Sequence, residues 1–289
     1  QTSTPSQGLI LLESLNILEN FDFPAMEIGT APWIHLQVEA KKLAYADRLG
    51  HIAHHPSRSA NVGKLLDKSW AAERAKQIDI TKANNQVDPG ELKDGDTTYL
   101  CVVDGAGMMV SLIQSVSAAF GCGMVAGETG VVLNNRVGRG FSLVEGHPNI
   151  FEPGKKTMHT LNCFMIADES GRMVITGGTP GGDGQPQWNM QMVSAMIDAG
   201  LDVQAAIEAP RWTSWPGTDP DVVHNPFELR IESRADEIVI AGLSNLGHDV
   251  KLQGEWNGGG TAQIIARDPE TGVLAGGTDP REEGQVLGF

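Results

Sequence analysis

Between Asn84 and Asp96 the chain is polar and broken by Pro and Gly (NNQVDPGELKDGD), and it then turns abruptly into TTYLCVVD, a β-rich run whose first residue carries a hydroxyl. Cleavage of the Asp96–Thr97 bond would give Thr97 a free α-amine, with an ordinary pKa of about 7.7–8.0. Such an amine can take the proton of its own side-chain hydroxyl, so one residue is both nucleophile and base and no His–Asp pair is needed. A Thr-Thr pair at a strand start is also what β-propensity alone produces. The junction therefore needs chemistry around it. Gly177-Gly178-Thr179-Pro180-Gly181-Gly182-Asp183-Gly184 supplies a candidate, because it closes a second β-rich run and opens a helical one. Glycines at such a turn let backbone N–H groups reach a developing oxyanion, aided by the helix N-terminus. A phosphate loop would require Gly-Lys-Ser/Thr there, and that is lacking. Gly154-Lys155-Lys156-Thr157 has no leading glycine at the required distance.

Other reactive residues read more plainly. His51, His54 and His55 fall at i, i+3, i+4, a spacing that can ligate a metal. Pro56 follows at once and no carboxylate or Cys completes the set, so they read as a polar helix end, and no metal is expected. Cys101, Cys122 and Cys163 form neither a CxxC pair nor a zinc spacing and read as small buried hydrophobes in a reducing compartment. Met108, Met109 and Met124 read as core, Asp104 as a turn cap and Asp279-Pro280-Arg281 as an ion pair or turn.

The elements that would position these residues can be traced from periodicity. Residues 1–96 read as mostly helical: Ser6 as a cap for a helix to about Asn20, a second helix over 33–49 after Pro32, and a third over 69–78. From Thr97 onward, two hairpins turn at Gly105-Ala106-Gly107 and Glu169-Ser170-Gly171. Helices follow over 185–199 and 203–209, then FELRIES, a helix over 235–246, TAQIIARD and GVLAGG. Antiparallel pairs followed by helices predict sheets stacked in layers and covered by helices. A chain of 289 residues with 40% apolar content has enough material for a sizeable core. A formal charge of −15 argues against nucleic-acid binding, and no apolar run is long enough to span a bilayer. The chain opens at Gln1 without Met and runs straight into a helix, so a targeting segment or a larger upstream portion is expected to be missing. The cysteine usage suggests the cytoplasm; the periplasm stays open.

TPSQG…LNILENFD, HLQVEAKKLAYADR, DTTYLCVVD, FGCGMVAGETGVVLNNR, TGGTPGGDG, EAPRW and GGTDPR, in this order, resemble the γ-glutamyltransferase family. The resemblance implies an N-terminal-nucleophile hydrolase with a four-layer αββα sandwich of mainly antiparallel sheets, an α/β (α+β) fold. It implies a precursor that cuts itself before Thr97 to give an α/β heterodimer. Residues 1–96 would be the C-terminal part of the large subunit, and 97–289 the whole small subunit. The partner would be the rest of the large subunit, with an arginine for the substrate carboxylate. By position, Thr97 matches the nucleophile, Gly181 and Gly182 the oxyanion hole, and Ser115 a hydroxyl that assists the threonine. The amino-acid clamp departs from the family: Ser117 stands for an asparagine and Arg136 for a glutamine. Val137-Gly138-Arg139-Gly140 supplies no carboxylate where one should hold the α-ammonium, and His159 and Thr160 replace paired serines. The expected activity is hydrolysis of a small carboxylated or acyl amide, such as oxamate or an acyl-lactam, without cofactor. A true γ-glutamyl transpeptidase or glutathione hydrolase, and an inactive homologue serving as a binding protein, are the alternatives.

Overall fold

A computed structural model describes residues 1–54, 63–85, 96–218 and 225–289; of Asp96, only the backbone is described. His55 and most of the expected polar loop, residues 86–95, lie outside them.

The first helix, α1 (Gly8–Leu18), starts one residue later than Ser6 as a cap suggested, and Gln7 is its N-cap residue. Ser6 still accepts the Gly8 N–H through Oγ at 3.3 Å. α2 (Ala31–His51) begins one residue before the expected Pro32 and is buried along most of its length. α3 (Lys68–Ala75) is capped by Asp67, whose carboxylate accepts the Ser69 N–H, a contact worth about 1 kcal/mol.

Thr97 lies at the head of the hairpin β1 (Asp96–Val103) and β2 (Met109–Ser117), with a bulge between Asp96 and Thr97. The second hairpin, β3 (Cys163–Ala167) and β4 (Met173–Gly178), belongs to a four-stranded antiparallel sheet with β8 (Gln263–Arg267) and β9 (Leu274–Thr278), in the order β3-β4-β8-β9. Helices α5 (Gly184–Ile197) and α6 (Val203–Glu208) cover one face of this sheet, burying Phe164, Ile264, Val203 and Ile207 between them. The β1–β2 hairpin covers the other face. Adjacent glycines point to the two faces: a Cβ on Gly177 would meet Phe164, part of the core under the helices, at 2.5 Å, and one on Gly178 would meet Tyr99 of β1 at 2.8 Å. Helix, sheet and sheet thus form the expected antiparallel stack.

Two strands had no signal in the sequence reading. β5 (Trp212–Trp215) and β7 (Val250–Gln253) flank β6 (Glu228–Glu232) in a three-stranded sheet, with β7 parallel to β6. All four residues of β5 are buried, so the two-residue alternation that marks a half-exposed strand is absent. This sheet and α7 (Glu237–Asn245) enclose a core with α1 and α2 that contains Trp212, Ile231, Leu36 and Leu243. No described helix is long and apolar enough to cross a membrane.

Candidate active site

Thr97 and Ser115 face each other across the first hairpin, and the Thr97 hydroxyl donates to Ser115 Oγ at 3.0 Å. Ser115 Oγ also accepts the Ser117 N–H at 2.9 Å. Ser117 holds φ +80°, unusual for a residue with a side chain, and is buried. Its hydroxyl accepts from Arg139 at 3.4 Å. A short helix, α4 (Val137–Gly140), has Arg136 at its N-cap and Arg139 in its last turn. Gly140 allows this helix to lie against the 157–160 segment, since a Cβ there would sit 1.9 Å from Thr157 Oγ1. Arg136, 7% exposed, donates to Thr160 Oγ1 at 2.9 Å.

The 157–161 segment runs beside the start of the chain: the His159 N–H donates to Pro5 O at 3.1 Å. Burial first, then the charges of Arg136 and Arg48, push the His159 imidazole below its usual pKa, which keeps it neutral near pH 7. The expected substrate residues Ser117, Arg136, Arg139, His159 and Thr160 therefore form one connected wall, joined to Thr97 through Ser115.

The glycine turn after β4 is held peptide by peptide. Thr179 Oγ1 donates to Pro180 O at 2.9 Å, the Gly184 N–H donates to Gly181 O at 2.8 Å, and the Gln185 N–H to Gly182 O at 3.3 Å. In a trans peptide the N–H points opposite the C=O, so the Gly182 N–H points away from the helix start that holds Gly181 O, and the Gly181 N–H away from the Thr179 hydroxyl that holds Pro180 O. Among the described residues, neither N–H has a protein acceptor. Gly181 holds φ +126°, and a Cβ on it would lie 2.0 Å from the Trp188 ring. Only glycine fits.

Sequence reading missed the groups beneath this turn. Arg48, from the end of α2, pairs with Asp183 at 2.6 Å and with Gln7 Oε1 at 2.7 Å. Burial would raise the Asp183 carboxyl, but Arg48 and then the Thr218 hydrogen bonds hold it below the ordinary carboxylate range. The Tyr45 hydroxyl donates to Asp183 O. An arginine at a helix C-terminus and an aspartate in a glycine turn each have a local explanation, so neither suggested the other.

Among the described residues, His35, Glu39 and His248 bring potential metal-ligand atoms within 4.8 Å of one another. Each of these groups already has hydrogen-bond partners. His35 Nε2 donates to Asp79 O at 2.9 Å, leaving its Nδ1 to accept from His248 Nε2 at 2.8 Å. Glu39 takes the Lys42 ammonium at 2.7 Å and the Asn84 N–H at 3.1 Å. A cation already occupies the carboxylate, so the cluster is a hydrogen-bonded knot. Of the histidines singled out in sequence, His51 ends α2 and His54 Nδ1 accepts the Lys156 N–H at 3.2 Å. A mainly apolar cavity of about 450 Å³ between α2, α5 and α7, lined by Trp33, Met192, Trp212 and Val239 among others, includes none of the site residues.

Comparison with known proteins gives the family and the fold. The family model described as Gamma-glutamyltranspeptidase matches residues 1–289. The chain is 38% identical to the glutathione hydrolase-like YwrD proenzyme of Bacillus subtilis, with 100% of this chain and 53% of that protein covered. It is 36% identical to the oxamate amidohydrolase proenzyme of Klebsiella pneumoniae, with 99% and 52% covered. Among solved structures, a cephalosporin acylase from Bacillus halodurans superposes with a TM-score of 0.84 at 36% identity, covering 99% of this chain and 50% of that one. The chain spans about half the length of the curated relatives it matches. Matched from end to end by the family model and sharing the fold of its relatives, this chain belongs to the gamma-glutamyltranspeptidase family.

Proposed function

We propose that the chain carries the catalytic part of a self-processed amide hydrolase that uses Thr97 as its N-terminal nucleophile. The observation that carries this reading is the pairing of Thr97 and Ser115 at 3.0 Å, together with the Gly181 and Gly182 N–H groups, which have no protein acceptor among the described residues. In the precursor, Thr97 Oγ attacks the Asp96 carbonyl, the acyl group shifts from N to O, and water hydrolyses the ester. The pieces end at Asp96 and begin at Thr97. In the mature enzyme the new α-amine takes the hydroxyl proton as Thr97 Oγ attacks the substrate carbonyl. Ser115 orients that oxygen, and the Gly181 and Gly182 N–H groups receive the negative charge. The amine then protonates the leaving nitrogen, and water releases the acyl group from Thr97. This chemistry asks for no metal or nucleotide, and activity is expected to survive chelation.

The substrate we propose is a small amide bearing a carboxylate and no α-amine. Arg136, Arg139 and the neutral His159 suit an anion, and a guanidinium can hold a carboxylate with two parallel hydrogen bonds. A γ-glutamyl group would bring an ammonium among these cations. Asp183, the carboxylate within the glycine turn, is committed to Arg48 and Thr218. Relatives named for both oxamate amidohydrolase and glutathione hydrolase activities frame the alternatives.

The rest of a large subunit is the proposed partner. Leu100, Val102, Val110 and Leu112 all lie on the outer face of the first hairpin, each more than 40% exposed. An apolar sheet face of this kind needs a cover, and the proposed fourth layer of the sandwich provides it.

The deciding experiment compares kcat/KM for oxamate-type amides with that for γ-glutamyl-p-nitroanilide, on material shown by N-terminal sequencing to begin Thr-Thr-Tyr-Leu-Cys. The carboxylated amide is expected to win. Efficient γ-glutamyl transfer with no cleavage of amine-free amides would overturn the substrate assignment, and an uncut chain would overturn the mechanism.

A further inference from the structure

The amide nitrogen of one side chain touches both halves of the proposed site. Gln7 Nε2 donates to Gly182 O at 2.8 Å and to Thr160 O at 2.8 Å. The first bond fixes the peptide that follows Gly182 in the glycine turn. The second fixes the residue whose hydroxyl accepts from Arg136. Gln7 cannot turn its amide round, because Oε1 accepts from Arg48 at 2.7 Å. An amide flipped end for end would set its NH2 against the guanidinium and its oxygen against two carbonyls. Arg48 is itself held by Asp183 at 2.6 Å, so the chain of contacts returns to the turn it began from. Gln7, Arg48, Asp183 and Thr160 are all buried.

We propose that Gln7 is a positioning residue that sets the oxyanion turn and the carboxylate wall in register, locked in one orientation by the Arg48–Asp183 pair. This inference rests on the amidase reading above. Gln7 and Arg48 lie before Thr97, while Gly182 and Asp183 lie after it, so the closed circuit crosses the proposed cut. The hole thus depends on a residue that touches neither substrate nor nucleophile. A shift of either wall moves the oxyanion donors relative to a substrate held by its carboxylate, and such alignment is worth most in the transition state.

The test uses two variants of the full-length protein that contains this chain. Gln7→Glu keeps the size of the side chain and an acceptor for Arg48, but places an oxygen against the two carbonyls. Gln7→Met keeps the bulk and removes all three hydrogen bonds. Amide hydrogen exchange followed by mass spectrometry reports on the turn independently of catalysis. Peptides spanning 177–185 are expected to exchange faster in both variants, with α5 beyond residue 188 unchanged. On the best amide substrate, kcat is expected to fall by up to roughly 100-fold, the order that a misplacement of about 1 Å costs. The Gln7→Glu loss should be the larger, because the replacement repels where wild type attracts. A Gln7→Glu variant with wild-type exchange at 177–185, or with wild-type kcat, would overturn the proposal, since packing and the Arg48 contact are both retained in it. A wild-type protein inert towards every amide, with exchange still accelerated in both variants, would instead overturn the amidase reading while sustaining the role of Gln7 in holding the turn.

Discussion

Thr97 draws its proposed reactivity from three short-range features: a hydroxyl at the head of a strand, Ser115 opposite it, and a peptide bond whose cleavage would release the base. Thr97→Ala is expected to leave a single uncut band on a denaturing gel and no hydrolysis. Ser115→Ala removes the side chain that receives the Thr97 hydroxyl among the described residues, and the expected outcome is slower self-cleavage in a time course, not abolition. A cut product from Thr97→Ala would remove the mechanism altogether. The arginines make a separate prediction. If Arg136 binds a carboxylate equally in ground and transition states, Arg136→Gln raises KM for the carboxylated amide with little change in kcat. A charged hydrogen bond contributes about 1.5–3 kcal/mol, so the KM change is expected to be roughly tenfold or more. Unchanged KM would show that this guanidinium serves Thr160 and the fold alone.

At the level of elements, the site is assembled where strands end and backbone geometry becomes special. Gly181 and Gly171 both hold positive φ, +126° and +83°. They differ in surroundings: a Cβ on Gly181 meets Trp188 at 2.0 Å, whereas one on Gly171, at the tip of the β3–β4 hairpin, meets nothing within 4 Å. Gly171→Ala is therefore expected to cost only the backbone strain, about 1–2 kcal/mol in thermal unfolding, with kcat retained. Gly181→Ala is expected to displace the turn or the indole and to lower kcat/KM by two orders of magnitude or so. Equal kinetic effects for the two substitutions would contradict the assignment of the turn as an oxyanion hole.

For the molecule as a whole, residues before and after Thr97 share cores, and the pieces are expected to stay together after cleavage. α1 and α2 pack with α7 and β6 through Leu36, Leu243 and Ile231. The His35–His248 contact also joins a helix before the cut to a residue after it. Burial, then Lys42 and His35, push the His248 imidazole down to about 3. In the unfolded chain it would titrate near 6.5. The folded state thus keeps the neutral form, and the stability this contributes is full above pH 6.5 and drains as pH falls towards 3. At pH 5 the loss amounts to about 2 kcal/mol, or several degrees in Tm. Melting curves between pH 7 and 5 should fall more steeply for wild type than for His248→Gln. Parallel curves would show that the imidazole pair is not the sensor.

The sequence alone carried the hairpins, the main helices, the Thr97 junction and the glycine turn, because each is a local matter of period, turn residues or backbone freedom. The family resemblance added Ser115 and the wall residues by position; the structure hydrogen-bonds Ser115 to Ser117, Ser117 to Arg139 and Arg136 to Thr160, with His159 beside Thr160 in the chain. Tertiary structure alone decided the rest. β5 is buried along its whole length and β7 is a four-residue strand whose burial does not alternate, so neither leaves a periodic trace. The Gln7–Arg48–Asp183 circuit was hidden for a similar reason. Gln7 and Arg48 are 41 residues apart, and Arg48 and Asp183 are 135 apart. A glutamine beside a helix start or an arginine near a helix end satisfies every local rule by itself. Only the packing of α1 and α2 against the turn shows that their polar groups, removed from water, have to find one another.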